Sequence, residues 1–204
     1  ASLNLTKSIK IENVSFTYVN NTKNIIDNLN LKIKKNTFIA IIGKSGSGKS
    51  TLIELIMGLL SPVKGKIYID DEELNSNNLD LWYKKIAYVP QKIFLSDSSF
   101  AENIAHGENI KNINFERIKE CCDKVGMHNF IISKENGYRT KVGERGNNLS
   151  GGQLQRIGIA RALYKEADVI IFDEATSALD SKTEIKVINE LNNMSNLTFI
   201  MIAH

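Results

Sequence analysis

Residues 43–50 read Gly43-Lys44-Ser45-Gly46-Ser47-Gly48-Lys49-Ser50, after the apolar run Phe38-Ile39-Ala40-Ile41-Ile42 and before a helical pattern from Thr51 to Leu60. The order of strand, glycine-rich turn and helix, with the spacing G-x-x-x-x-G-K-[ST], predicts a loop that folds over a polyphosphate. Glycine at 43, 46 and 48 lets successive N–H groups turn inward and keeps Cβ atoms away from the phosphates. The helix beginning near Lys49 adds about half a positive charge at its N-terminus. Lys49 reaches the β- and γ-phosphates as a mobile cation, and the Ser50 hydroxyl suits a Mg²⁺ whose other ligands come mostly from phosphate and water. Thr51 is then placed to touch the α-phosphate. An ordinary glycine-rich turn between strand and helix is the plain alternative, and it does not require a lysine and a hydroxyl at these two places.

Upstream of this loop, Ile9 to Tyr18 alternates apolar and polar residues, and Leu29-Leu31-Ile33 repeats the period of two after an Asn-rich turn at Asn20-Asn21. These patterns predict half-buried strands of an antiparallel sheet beside the main one. Tyr18 ends the first strand before a loop, where its ring can offer a flat face to an adenine or pack on the core as an edge-strand aromatic. Phe38 to Ile42 is apolar on both faces, as a central parallel strand covered by helices would be. Downstream, a helix to Leu60 is expected to stop at Ser61-Pro62. A short strand is expected over Gly65 to Asp70, a short helix over Leu79 to Lys85, and a strand over Ile86 to Val89 that Pro90 turns into a loop opened by Gln91.

From Ser96 to about Lys141 the pattern is helical, with segments at Phe100–Ile104, Asn114–Val125 and Met127–Ile132 and a break at Asn136-Gly137. It shows no sustained heptads. Val169 to Phe172 is a second strongly apolar strand, ending in Asp173-Glu174. Two carboxylates at the carboxyl end of such a strand lie where open α/β sheets bind ligands. A Walker B reading gives Asp173 the Mg²⁺ shell and leaves Glu174 to accept a proton from attacking water, with an acidic strand-to-loop cap as the plain alternative. Ser181-Lys182-Thr183-Glu184 has capping-box spacing and opens a helix with Ile185, Ile188 and Leu191 on one face. Thr198 to Ala203 reads as a last strand ending at His204.

Composition narrows the class further. With 204 residues, 42% hydrophobic and 24% charged, the chain can bury a sizeable core. A net charge of +3 is too mild to argue for nucleic acid, which calls for a concentrated basic face. Cys121 and Cys122 are neighbours in a helical pattern, where vicinal side chains diverge, so both are read as core thiols of a reducing compartment. No apolar run approaches the ~20 residues that span a bilayer. The first residue is Ala1 rather than Met, and the chain stops directly after a strand pattern, so a piece of a longer protein is expected.

Leu149-Ser150-Gly151-Gly152-Gln153 opens a further helix, Gln153 to Tyr164, with Ser150 as N-cap. This is a second anion-binding helix start in one chain, placed in the helical insertion rather than beside the first. Two copies packed head to tail, each phosphate loop roofed by the other's Ser150-Gly151-Gly152, resolve the duplication with two equivalent sites.

With these motifs in this order, the sequence resembles the ATP-binding cassette (ABC) ATPases, the motor domains of ABC transporters. The resemblance runs through Tyr18, Gly43 to Thr51, Gln91, Leu149 to Gln153, Asp173-Glu174, Ser177-Ala178-Leu179-Asp180 and His204. It implies a P-loop NTPase α/β core with a mostly parallel central sheet, an N-terminal antiparallel β subdomain and an inserted α-helical subdomain. The core is drawn at 1–95 and 160–204 and the insertion at about 96–159. It also implies ATP and Mg²⁺, adenine stacking by Tyr18, magnesium and water contacts by Gln91, and γ-phosphate contacts by Ser150 and Gly152 of a second copy. The resemblance further implies that Asp180 communicates across that dimer and that His204 holds the γ-phosphate and the attacking water. Thr140 to Gly146 and Tyr88-Val89-Pro90-Gln91 with Phe94-Leu95 resemble exporter-type cassettes in particular, where these segments meet the membrane domain. That implies a transmembrane partner, expected to precede Ala1 in the same polypeptide, and a place on the cytoplasmic face of the membrane. A soluble cassette ATPase of DNA repair or translation is the alternative. The long coiled coils of the repair type have no counterpart between Lys92 and Asn148.

Overall fold

The computed structural model describes residues 3–203 except 20, 21, 144, 145, 147 and 195. The chain divides into two compact units, one comprising residues 1–87, 167–173 and 196–204, the other 88–166 and 174–195. The sequence-based boundary was drawn instead near 96 and 159.

In the first unit, β1 (Ser8–Phe16) pairs antiparallel with β2 (Ile26–Lys34) and with β4 (Lys64–Ile69), which pairs with the short β5 (Glu72–Glu73). The strand order is β2-β1-β4-β5. Alternation gives the sheet its buried face: Ile9 and Ile11 face the core while Lys10 and Glu12 face outward. Asp70, at the end of β4, ties down the entry to β1 by accepting from the Thr6, Lys7 and Ser8 amides and the Thr6 hydroxyl. Partial burial pushes its carboxyl up, but the bonds from Thr6, Ser8 and Lys7 outweigh this and hold it below the usual carboxylate range.

The second sheet is ordered β3 (Phe38–Ile42), β8 (Thr198–Ala203), β7 (Val169–Asp173), β6 (Ile86–Val89), and β8 runs parallel to both β3 and β7. Phe199 of β8 stands between Phe38 and Phe172, with ring centroids 5.8 and 5.9 Å away. Strand β3 is not covered on both faces among the described residues. It ends the strand order of the described residues, Ala40 is exposed and Ile42 is 74% exposed. The first four residues of β7 are fully buried. The inward residues of β3, Ile39 and Ile41, pack against the core.

Helix α1 (Lys49–Met57) is shorter than its pattern. Gly58, at φ 76°, turns left-handed and donates to the Glu54 and Leu55 carbonyls, so the helix closes before Ser61-Pro62 is reached. Behind it, α2 (Leu79–Tyr83) buries Trp82 completely, with its indole N–H donating to the Ile56 carbonyl at 2.9 Å.

The second unit is helical: α3 (Phe100–Ile104), α4 (Phe115–Lys124), α5 (His128–Ile132), α6 (Gly151–Tyr164) and α7 (Ser181–Asn192). Helix α6 packs against α3 and α4. Cys121 and Cys122 are buried, free thiols, and burial pushes the Cys122 thiol up to about 12. Helix α7 starts one residue off its expected cap. Asp180, not Ser181, is the N-cap and accepts from the Thr183 amide at 3.0 Å. Along the helix Val187 and Leu191 are buried while Ile185 is 61% exposed. Aspartate outcompetes the neighbouring serine because its charge also complements the helix dipole.

Candidate functional site

The loop over residues 43–50 has the geometry its spacing predicts. Gly46 and Gly48 take φ of 76° and 89°, and Gly48 is the N-cap of α1 with no side chain capping it. The first-turn N–H groups of α1 are therefore not spent on a cap. A Cβ at Gly43 would fall 2.6 Å from the Ser47 Oγ, and one at Gly48 would lie 3.1–3.2 Å from Ile25 and Ile26. The loop closes on itself through the Ser47 amide and the Lys44 carbonyl at 3.1 Å. Lys49 is 9% exposed, and its ammonium donates to the Gly43 and Lys44 carbonyls. It thus lies folded under the loop, held by neutral acceptors that a phosphate oxygen can displace.

An open cleft of about 450 Å³ adjoins the loop, lined by Gly46 and Ser47 on one side and Thr22 to Ile25 on the other. The sequence reading missed this second wall, whose signal is the close approach of Ile25 to Gly48. Tyr18 is 40% exposed and its ring meets Phe16 edge-on at 5.0 Å. Its hydroxyl lies 3.3 Å from the Thr51 hydroxyl and donates to Glu54 at 3.3 Å. Tyr18, Thr51 and the loop are therefore gathered at one end of α1. Ser50 is exposed at the helix start, and Asp173 ends β7 half-buried.

In the second unit, the Gln91 amide donates to the Glu174 carboxylate at 2.9 Å, bringing together two residues 83 positions apart. Glu174 has φ 50°, a left-handed conformation that costs a non-glycine residue about 1–2 kcal/mol and clusters at functional sites. Ser150 caps α6 in a full capping box. Its hydroxyl oxygen accepts from the Gln153 amide at 3.2 Å, and its own amide donates to the Gln153 side chain at 2.8 Å. The sequence reading named Ser150 but not this reciprocal bond. With the oxygen accepting, the hydroxyl proton can still donate outward, beside the Gly151 and Gly152 amides. Asp180 is tied to α7, and bonds from Thr183 hold its carboxyl below the usual range. His204 lies outside the described residues.

Three further α6 residues escaped the sequence reading. Gln155 bonds the loop at Ser177 and Ala178. Gly158 makes room for Ile93, whose Cδ1 would lie 2.3 Å from an added Cβ. Arg161, its guanidinium pushed down by burial, donates to the Phe94 and Asn103 carbonyls. Beside them is a cleft of about 300 Å³ lined by Gln91, Phe94, Gly151, Leu154 and Ala178 among others. Among the described residues no group of three or more His, Cys, Asp or Glu is placed to hold a metal, and no helix is long and apolar enough to cross a membrane.

A sequence model of the ABC transporter family matches residues 26–177. The chain belongs to that family. It is 41% identical to ABC transporter B family member 13 of Arabidopsis thaliana, over 96% of its own length and 16% of that protein. It is 38% identical to the uncharacterised ABC transporter ATP-binding protein YfiB of Bacillus subtilis, over 97% of its length and 34% of the relative. Among solved structures, a bacterial Atm1-family ABC exporter with ATP bound superposes with a TM-score of 0.90 at 33% identity, covering 100% of this chain and 35% of that one. The fold is therefore the P-loop NTPase fold of an exporter-type ABC nucleotide-binding domain. The chain spans about a third or less of each of these relatives.

Proposed function

We propose that this ABC domain binds and hydrolyses Mg²⁺-ATP, and that two copies close head to tail around two ATP to drive export through a membrane domain. The observation that carries this reading is the loop over 43–50, in which Lys49 is buried beneath an uncapped helix start and donates to the Gly43 and Lys44 carbonyls. The loop amides and Lys49 would hold the β- and γ-phosphates, and Tyr18 the adenine. Lys44, Ser45, Gly46 and Ser47 supply the cradle, and Thr51 touches the α-phosphate. Mg²⁺ would be held by Ser50, with Asp173 and Gln91 in its shell, and it supplies neutralising charge across the phosphates. Glu174, oriented by Gln91, accepts the proton of the attacking water. Most of the remaining work is positioning and charge neutralisation. Ser150, Gly151, Gly152 and Gln153 of the second copy close the site, with Asp180 and His204 in the roles the family resemblance gives them.

The likeness to an exporter with ATP bound supports transport in the outward direction, and it favours a membrane partner over the DNA repair or translation reading. Such a membrane domain, preceding this domain in the same polypeptide, would meet the surface around Phe94, which is 71% exposed. The domain then works at the cytoplasmic face of the membrane.

Replacing Glu174 tests the reading. Glu174→Gln in the full-length protein should lower ATP turnover by about 10²–10⁴-fold, leave ATP affinity within about threefold and trap a closed dimer. Unchanged hydrolysis in that variant removes Glu174 from its role.

A further inference from the structure

We infer that Gln155 is a positioning residue that locks the Ser150 end of α6 to the loop following Glu174, an inference that rests on the ATPase reading above. Gln155 is 4% exposed and lies one turn into α6. Both ends of its side-chain amide are used: Nε2 donates to the Ser177 hydroxyl at 3.3 Å, and Oε1 accepts from the Ala178 amide at 2.9 Å.

The loop it grips has no strand ladder to fix it. It consists of two successive turns, closed by the Ser177 amide on the Glu174 carbonyl at 3.1 Å and the Leu179 amide on the Thr176 carbonyl at 2.9 Å. It begins at Glu174 in a left-handed conformation and ends at Asp180, the cap of α7. The start of α6 also lies close against it. A Cβ on Gly152 would come 3.2 Å from the Ala178 carbonyl oxygen, and one on Gly151 would come 3.4 Å from the Ala178 Cβ. The bonds from Gln155 hold the loop in register with that contact.

Helix α6 also holds the segment that bonds Glu174. At i+3 and i+6 from Gln155, Gly158 accommodates Ile93 and Arg161 holds the Phe94 carbonyl. Both belong to the segment that begins at Gln91, whose amide donates to the Glu174 carboxylate. Displacement of Ser150 by a second copy is in this way passed to Glu174 through one buried amide. The group that closes the site and the group that takes the proton move together.

The test exploits two substitutions whose effects on stability and turnover run in opposite directions. Methionine matches the shape of Gln155 but removes both bonds, and the exposed Ser177 and Ala178 can turn to water. Glutamate still accepts from the Ala178 amide and the Ser177 hydroxyl but places a charge in a buried position. In the full-length protein, Gln155→Met should keep its melting temperature within about 2 °C, keep KM for ATP within about twofold and lose about tenfold in kcat. Gln155→Glu should melt lower yet keep kcat within about threefold. Ser177→Ala should lose about threefold in kcat and cost nothing further in the Gln155→Met background.

Turnover that follows melting temperature, with Gln155→Met the more active variant, overturns the inference. So does a Ser177→Ala kcat equal to wild type, which decides the matter should Gln155→Met fail to fold. Absence of hydrolysis by the wild type overturns the ATPase reading and this inference with it, whereas wild-type hydrolysis with unaffected variants overturns this inference alone.

Discussion

Two helix starts in this molecule look alike in sequence and are built in opposite ways. Helix α1 begins at a left-handed glycine with no side chain on its first amides, over a buried lysine. Helix α6 begins at Ser150 inside a complete capping box, its first turn already bonded to its own residues. An uncapped start has several donors to offer and binds an anion by itself. A capped start offers one hydroxyl proton and the two glycine amides beside it. Under the proposed function it would complete a site rather than form one, as the roof that a second copy places over a phosphate loop.

That contrast can be broken at either end. Lys49→Met takes the cation from the uncapped start, and turnover should fall by about 10²–10³-fold or more, with ATP affinity falling too, checked by steady-state kinetics and nucleotide titration. Ser150→Ala removes the capped start's outward donor. Turnover should fall by about 10–10²-fold while ATP binding to the isolated copy stays within about twofold, and ATP-dependent dimerisation weakens. A large loss of binding in the monomer would show Ser150 acting within its own copy.

Two smaller effects sharpen the comparison by separating capping from catalysis. Asp180→Ala deletes the α7 cap and should cost about 0.5–2 kcal/mol in denaturant unfolding. The Asp70 carboxyl, held low in the fold, contributes stability that is complete above its unfolded value and is lost as pH falls through its lower folded value. Acid unfolding below about pH 4 should therefore be shallower in Asp70→Asn than in wild type.

The phosphate loop was legible because its chemistry is local: five or six residues fix the turn, the cation and the hydroxyl. The strands were legible for a similar reason, through periods of two in β1 and β2. What escaped depends on partners far along the chain. The place of β3 beside β8 is set by pairing with residues about 160 positions away. The Asp180 cap hid because Ser181 one residue later fits the same pattern, and the choice between them rests on charge and helix phase. Gln155 and Arg161 read as ordinary polar residues of a helix, and only the loops folded against α6 give them partners. The left-handed Glu174 leaves no sequence signal, since glutamate is an unusual occupant of that conformation.

Cross-linking between copies addresses the division between the two helix starts most directly. In a Glu174→Gln background, one population of the full-length protein carries Ser45→Cys and another Ser150→Cys, and the two are mixed with Mg²⁺-ATP and a short thiol cross-linker. Covalent dimers containing one of each should form in the mixture and depend on ATP. Failure to form them under ATP, alongside cross-linking within a single copy that carries both cysteines, would place both helix starts around one nucleotide in one chain and contradict the head-to-tail site.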